Sequence, residues 1–177
     1  GGIVARYATL TVDRSTVAGN TATGSGGGVA QVSGGFGSAT LINSTFSGNT
    51  AGGSGGGVFN RGVMMLTHVT LTDNRADADG NGDGSGGGVY GEAGYYSSPS
   101  TKVVNSIISS NARGASGSPG EAADNLGGAA PAAGSVGNLV GSGDVSVDPS
   151  ANLVGIDDPM LGPLADNGGP TQTMAVL

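Results

Sequence analysis

Between residues 1 and 111 the apolar side chains return at fixed offsets from a recurring asparagine. Four segments rich in Thr and Val end at Asn20, Asn49, Asn74 and Asn111, which lie 29, 25 and 37 residues apart. Three positions before each asparagine stand Val17, Phe46, Leu71 and Ile108, and eight positions before it Val12, Leu41, Leu66 and Val103. Both columns are wholly apolar and predict inward-facing strand positions. Ser15, Ser44, Val69 and Ser106, five before, are small enough to point inward with them. Thr16, Thr45, Thr70 and Ile107, together with Ala18, Ser47, Thr72 and Ser109, fall on the alternate positions and predict the solvent face. Arg14, Asn43, His68 and Asn105 break the alternation, which predicts a tight bend between two short strands with left-handed backbone at that residue.

A second signature alternates with the first. Gly-Gly-Gly-Val stands at 26–29, 55–58 and 86–89, each time after Gly-Ser, and Gly1-Gly2-Ile3-Val4 reads as a fourth copy. Glycine there predicts a short strand whose backbone approaches its neighbours closely. The order of parts is fixed while the spacing varies, as in a solenoid whose coils keep their strands and vary their loops. No stretch carries apolar residues at helical spacing. The fold class expected is therefore all-β, a parallel β-helix (β-solenoid) with about three short strands per coil. Residues 1–111 form its coils. Residues 112–136, mostly Ala, Gly, Ser and Pro, predict a loop. Residues 137–177 carry Asn-Leu-Val-Gly twice, at 138–141 and 152–155, and predict smaller terminal rungs of the same domain.

Composition narrows the functional classes. Of 177 residues 38 are glycine, without the strict three-residue period of collagen. The formal charge is −7, from 13 acidic and 6 basic residues, which argues against nucleic acid as a partner. No apolar run reaches membrane-spanning length, so no membrane insertion is expected. The absence of cysteine removes disulfides and thiolate metal sites.

Phe46-Ser47-Gly48-Asn49, taken with Gly-Gly-Gly-Val, resembles the paired FxxN and GGxI repeats of polymorphic outer-membrane proteins. The stretch Asp-Pro-Met-Leu-Gly-Pro-Leu-Ala-Asp-Asn-Gly-Gly-Pro-Thr-Gln-Thr, from Asp158 to Thr173, closely resembles the end of the bacterial choice-of-anchor Q proteins, which have a pectin-lyase-like β-helix. Met174 stands where that family usually has histidine. The resemblance implies a right-handed β-helix, export and an extracellular or cell-surface location, and it carries over no functional residue. The chain starts inside a repeat and stops where such proteins continue, which implies a fragment or processed product of a longer protein.

Candidate chemistry is sparse. A polysaccharide lyase needs a carboxylate cluster and a base. The only adjacent carboxylates are Asp157 and Asp158, in a turn context before Pro159, and Arg14 and His68 occupy equivalent bend positions two coils apart. No catalytic residue is assigned. The sharpest local signal is the run from Asp77 to Gly84, where Asp77, Asp79, Asn81 and Asp83 place an oxygen at every second residue, with glycine at 82. This resembles the first half of a calcium loop, although Gly88 stands where the bidentate acid is expected, so the one cofactor considered is structural calcium. Tyr90, Tyr95 and Tyr96 offer a small aromatic cluster for glycan stacking. The threonine column is the kind of surface that ice-binding β-helices display, but its flanking column is mixed.

The function expected is a non-enzymatic β-solenoid module serving as a structural or adhesive element. Its partners would be the rest of a longer surface protein, or further copies of itself stacked head to tail into filaments through an open terminal rung. The alternative is a carbohydrate-active β-helix, a lyase or a glycan binder.

Overall fold

The computed structural model describes residues 1–32, 37–93, 99–143 and 147–177. Among them every regular element is a strand. Each of the first four repeats contributes one strand to each of four sheets, and within these repeats neighbouring strands pair in parallel. The first sheet contains Ile3–Ala5, Val29–Gln31, Val58–Asn60, Val89–Gly91 and Leu126–Gly128. The second contains Leu10–Asp13, Ser38–Ile42, Val63–Thr67 and Ser100–Val104. The third runs from Thr16–Ala18 through Thr45–Ser47, Thr70–Thr72 and Ile107–Ile108 to Leu139–Val140 and Leu153–Val154. The fourth is built from the two-residue strands Thr21–Ala22, Thr50–Ala51, Arg75–Ala76 and Ala112–Arg113. The chain is thus all-β, with stacked parallel sheets compatible with a β-helix. Each repeat holds four strands where about three were expected. The fourth is only two residues long, follows the asparagine directly, and carries no alternation by which a strand is read.

The corners are set by residues with left-handed backbone. Arg14, Asn43, His68 and Asn105 all have φ between 46° and 54°, as the broken alternation predicts. A second row, directly before each asparagine, comprises Gly19, Gly48, Asp73 and Ser110 with φ between 58° and 67°. Asp73 and Ser110 adopt there a conformation that costs an L-residue about 1–2 kcal/mol. The Gly-Gly-Gly units have a different reason. A Cβ on Gly27 would lie 2.3 Å from the Gly56 carbonyl oxygen, and one on Gly87 would lie 2.2 Å from that of Ala112. Backbones of adjacent repeats touch at this corner and leave no room for a side chain.

Register follows the columns read from the sequence. Val12, Leu41, Leu66 and Val103 pair in line and are buried, as are Val17, Phe46, Leu71 and Ile108. Val29, Val58, Val89 and Leu126 close the interior from the first sheet.

The recurring asparagines bond to one another, and Asn49, Asn74 and Asn111 are buried beside this core. Asn49 donates its backbone N–H (3.0 Å) and its Nδ2 (2.9 Å) to Asn74 Oδ1. Asn74 does the same to Asn111 (3.0 and 2.9 Å), and Asn111 to Asn125 (3.1 and 2.9 Å). The second Nδ2 hydrogen goes to the carbonyl three residues before the asparagine of the preceding repeat: Asn49 to Val17, Asn74 to Phe46, Asn111 to Leu71. The ladder ends where Asn125 donates N–H and Nδ2 to the Ser142 carbonyl. A shorter ladder, Ser106 to Asn138 to Asn152, continues the serine column through the two Asn-Leu-Val-Gly rungs.

Two regions differ from expectation. Residues 112–136 carry three short strands: Ala112–Arg113 and the antiparallel Ala122–Ala123 in the fourth sheet, and Leu126–Gly128 in the first. Asn125 and Leu126 supply an asparagine and an apolar plug there without the surrounding Thr and Val that mark the other copies. The C-terminal segment also crosses the outer face of the third sheet. Ser109 and Ser110 donate to the carbonyls of Ile156 and Asp157 (2.5 and 2.9 Å), and Thr16, three repeats away, donates to that of Gln172 (2.6 Å). Thr45, Ser47, Thr72 and Ser109 are buried, so much of the expected solvent face is an internal layer. The segment ends in the antiparallel hairpin Leu161–Ala165 and Thr173–Val176.

Replacing Asn74 by Ala deprives three interior groups of their partner: the Asn49 N–H and one Asn49 Nδ2 hydrogen lose their acceptor, and the Phe46 carbonyl loses its side-chain donor. The expected loss in urea unfolding is about 3 kcal/mol or more. Asn20→Ala, at the half-buried start of the ladder, is expected to cost about 1 kcal/mol.

Candidate functional site

Two insertions at the corner between the fourth and first sheets lie side by side. One is the acidic run 77–84 and the other is 114–121. They face each other across a groove of about 540 Å³, lined by Asp77, Gly82, Arg113, Ser118 and Pro119 among others. Asp77 anchors the first insertion: it is buried, has φ 50°, and its N–H donates to the Gly53 carbonyl at 3.0 Å.

The oxygens expected to ligate calcium are largely engaged within the loop. Asp77 Oδ1 accepts the Gly82 N–H at 2.9 Å. Asp79 accepts the Asn81 N–H at Oδ1 (3.4 Å) and Asn81 Nδ2 at Oδ2 (3.2 Å). Asn81 Oδ1 accepts the Asp83 N–H at 2.8 Å, and Asp83 is exposed. Among the described residues no three His, Cys, Asp or Glu side chains gather around a common point suited to a metal ion.

The opposing loop is held by charge. Arg75 Nη1 donates to the Gly114 carbonyl (2.7 Å), and its Nη2 pairs with Glu121 Oε1. Glu121 Oε2 accepts the Gly117 N–H at 2.7 Å. That backbone hydrogen bond, followed by the Arg75 guanidinium, holds the Glu121 carboxyl below the usual range. Ser150 does the same for Asp148 through its hydroxyl and its N–H, in the turn before the last rung.

The other sequence candidates are separate from this groove and from one another. Asp157 accepts the Ser142 N–H (2.6 Å) and hydroxyl (2.9 Å), which fixes the segment that closes the asparagine ladder, while Asp158 accepts the Met160 N–H. Arg14 pairs with neighbouring Asp13 at 3.4 Å on the surface, and His68 Nε2 lies 3.3 Å from Asn105 Nδ2 on the bend row. Tyr90 stacks on Phe59 with ring centroids 6.0 Å apart, and the Arg61 guanidinium lies over Phe59, 5.5 Å from its centroid. Tyr95 and Tyr96 lie outside the described residues. Comparison with protein-family models, with curated proteins and with solved structures gives no match.

A second groove, of about 640 Å³, lies at the far end of the third sheet and is lined by Ile107, Leu139, Leu153 and Pro149 with Asn105 and Asn152. Sequence reading did not find it. The signal was present, since the outward column changes there from threonine to Ile107, Leu139 and Leu153.

Two outcomes are expected at the first groove. Glu121 has its carboxyl depressed in the folded state, so its stabilisation is complete above the ordinary glutamate range and is lost as pH falls through the folded value. The acid limb of a melting-temperature profile is therefore expected to be shallower in Glu121→Gln than in the parent. Calcium is expected to leave the melting temperature unchanged, because binding must first displace the loop's own hydrogen bonds. A calcium-dependent rise that Asp79→Ala abolishes would assign the loop to the ion instead.

Proposed function

We propose that this chain is a right-handed parallel β-helix module of a bacterial extracellular or cell-surface protein, of the choice-of-anchor Q and polymorphic outer-membrane-protein type, with a structural or adhesive role. Support comes from the in-register stacking of four parallel sheets and from the sequence resemblance of residues 46–49, the Gly-Gly-Gly-Val units and residues 158–173. The observation that carries the non-catalytic reading is the use made of the ionisable side chains. Arg75 and Glu121 are paired with each other to hold one corner loop, Asp77 accepts a backbone N–H within the loop beside it, and Asp157 fixes the closing rung elsewhere. A glycan-cleaving site needs such groups converging on one bond.

The mechanism is mechanical. Rungs about 4.8 Å apart build a rod. The buried ladder and the backbone hydrogen bonds run along the rod, so tension on one rung is shared by the next. Corner loops of variable length then display small polar groups sideways.

End-on association is a second reading. Among the described residues the strands of the first repeat pair on one side only, so a further parallel rung would extend all four sheets. That rung could belong to a longer chain or to another copy. At the opposite end Ser142 terminates the ladder and the antiparallel strand Ala122–Ala123 ends the fourth sheet, which works against indefinite filaments. Glycan binding at the Tyr90–Phe59 surface remains the alternative partner chemistry.

Incubation with a panel of acidic polysaccharides is expected to release no unsaturated uronide, and electron microscopy with light scattering is expected to show discrete particles. Ultraviolet-absorbing product from any substrate would overturn the non-catalytic reading. Long uniform filaments would show that the closed rung does not stop head-to-tail growth.

A further inference from the structure

The contacts around Asn81 have a chemical consequence that neither calcium binding nor the scaffold role uses. Asn81 is followed by Gly82, one of only two Asn-Gly pairs in the chain, the other being Asn167-Gly168. Glycine leaves the following backbone nitrogen unshielded, and at Gly82 nothing lies within 4 Å of where a Cβ would sit. The nitrogen is one residue from the Asn81 side-chain carbonyl carbon, so their reaction closes a five-membered ring without any intermolecular encounter.

Three neighbours stand at the atoms that this ring closure uses. Asp77 Oδ1 accepts the Gly82 N–H at 2.9 Å and is placed to take that proton. The Asp83 N–H donates to Asn81 Oδ1 at 2.8 Å, where negative charge develops as the carbonyl is attacked. Asp79 Oδ2 accepts from Asn81 Nδ2 at 3.2 Å and orients the nitrogen that departs. Asp77 is buried, which fixes the base, while Asn81 and Gly82 are exposed and open to water.

We propose that Asn81-Gly82 is a self-modifying site, at which the loop converts Asn81 through a succinimide to aspartate and isoaspartate. The Gly82 nitrogen forms a bond to Asn81 Cγ and the Cγ–Nδ2 bond breaks. The Gly82 proton passes to Asp77 and through solvent to the departing nitrogen, which leaves as ammonia. Water then opens the imide at either carbonyl. No oxidant, reductant or other co-reactant takes part. The product adds a negative charge to the loop, and the isoaspartate form inserts an extra carbon into the backbone between Asn81 and Gly82, moving the Gly82 N–H away from Asp77.

The second Asn-Gly pair is an internal reference. Gly168 N–H also donates to a carboxylate, Asp166 Oδ1, at 2.9 Å. At Asn167, however, Nδ2 is held by Thr173 through both its carbonyl (2.9 Å) and its hydroxyl (3.2 Å), and among the described residues no donor reaches Oδ1. The pairs therefore differ in the group that polarises the carbonyl and in how firmly the leaving nitrogen is held.

The test is to incubate the intact chain at neutral pH and 37 °C and to follow both peptides by mass spectrometry, with isoaspartyl methylation as a second readout. Conversion at Asn81 is expected to outpace that at Asn167. Asp77→Asn keeps an oxygen acceptor for the Gly82 N–H and tolerates the positive φ, but removes the base. It is expected to slow Asn81 by about tenfold or more without changing Asn167. Equal rates at the two sites, or an Asp77→Asn chain that converts Asn81 as fast as the parent or faster, would overturn the proposal. Circular dichroism of the variant, matched to the parent, separates lost base from lost fold, and Gly82→Ala supplies a second slow variant that leaves Asp77 in place.

Discussion

A primary amide sealed inside an apolar interior must have both hydrogens and its oxygen paired, because each group left alone costs about 1–3 kcal/mol. The stacked repeats meet that demand by making each asparagine the partner of the next. Asn74 illustrates the closure: Oδ1 takes two donors from Asn49, while Nδ2 serves both Asn111 and the Phe46 carbonyl. Apolar burial supplies more free energy in total, yet it is non-directional. A one-residue slip of Thr70–Thr72 against Thr45–Ser47 would turn Leu71 outward and strand the Asn74 amide as well. The ladder therefore fixes the register that the valines and leucines fill.

Once register is fixed at the asparagines, the rest of each repeat is free to vary. Gaps of 25 to 37 residues between rungs are absorbed at the corners on either side of the first sheet, while the left-handed bends at Arg14, Asn43, His68 and Asn105 and at the residue before each asparagine keep a constant length. The insertions 77–84 and 114–121 sit at one such corner, where glycine-only contact between repeats keeps the rungs closed beneath them. The C-terminal segment adds a second constraint from outside. By bonding to Ser109 at one end and Thr16 at the other it spans the repeats and removes hydroxyl rows from solvent. Surface chemistry is thereby concentrated in the corner loops.

The inward columns were legible because a two-residue period over four copies is hard to produce otherwise, and the first bend row was legible because it breaks that period. The two-residue strands of the fourth sheet were not, since Thr21-Ala22 and Thr50-Ala51 are too short to alternate. Asn125 escaped because its rung lacks threonine and valine, although its neighbour Leu126 plugs the core. The hydrogen bonds of Ser109 and Thr16 reach a segment 47 and 156 residues away in sequence, and no local pattern encodes them. In the acidic loop the alternation of oxygens was visible, whereas their destination was not: whether a carboxylate faces a cation or the next amide is decided by φ at Asp77 and Gly82.

Native-state hydrogen exchange addresses the central claim most directly. If the ladder holds the register, the backbone amides of Asn49, Asn74 and Asn111 exchange only through global unfolding and share one protection free energy, above that of residues 77–84. Exchange at these three amides as fast as in the acidic loop, with Leu41, Phe46 and Leu71 still protected, would show that apolar packing alone sets the register and would contradict the account.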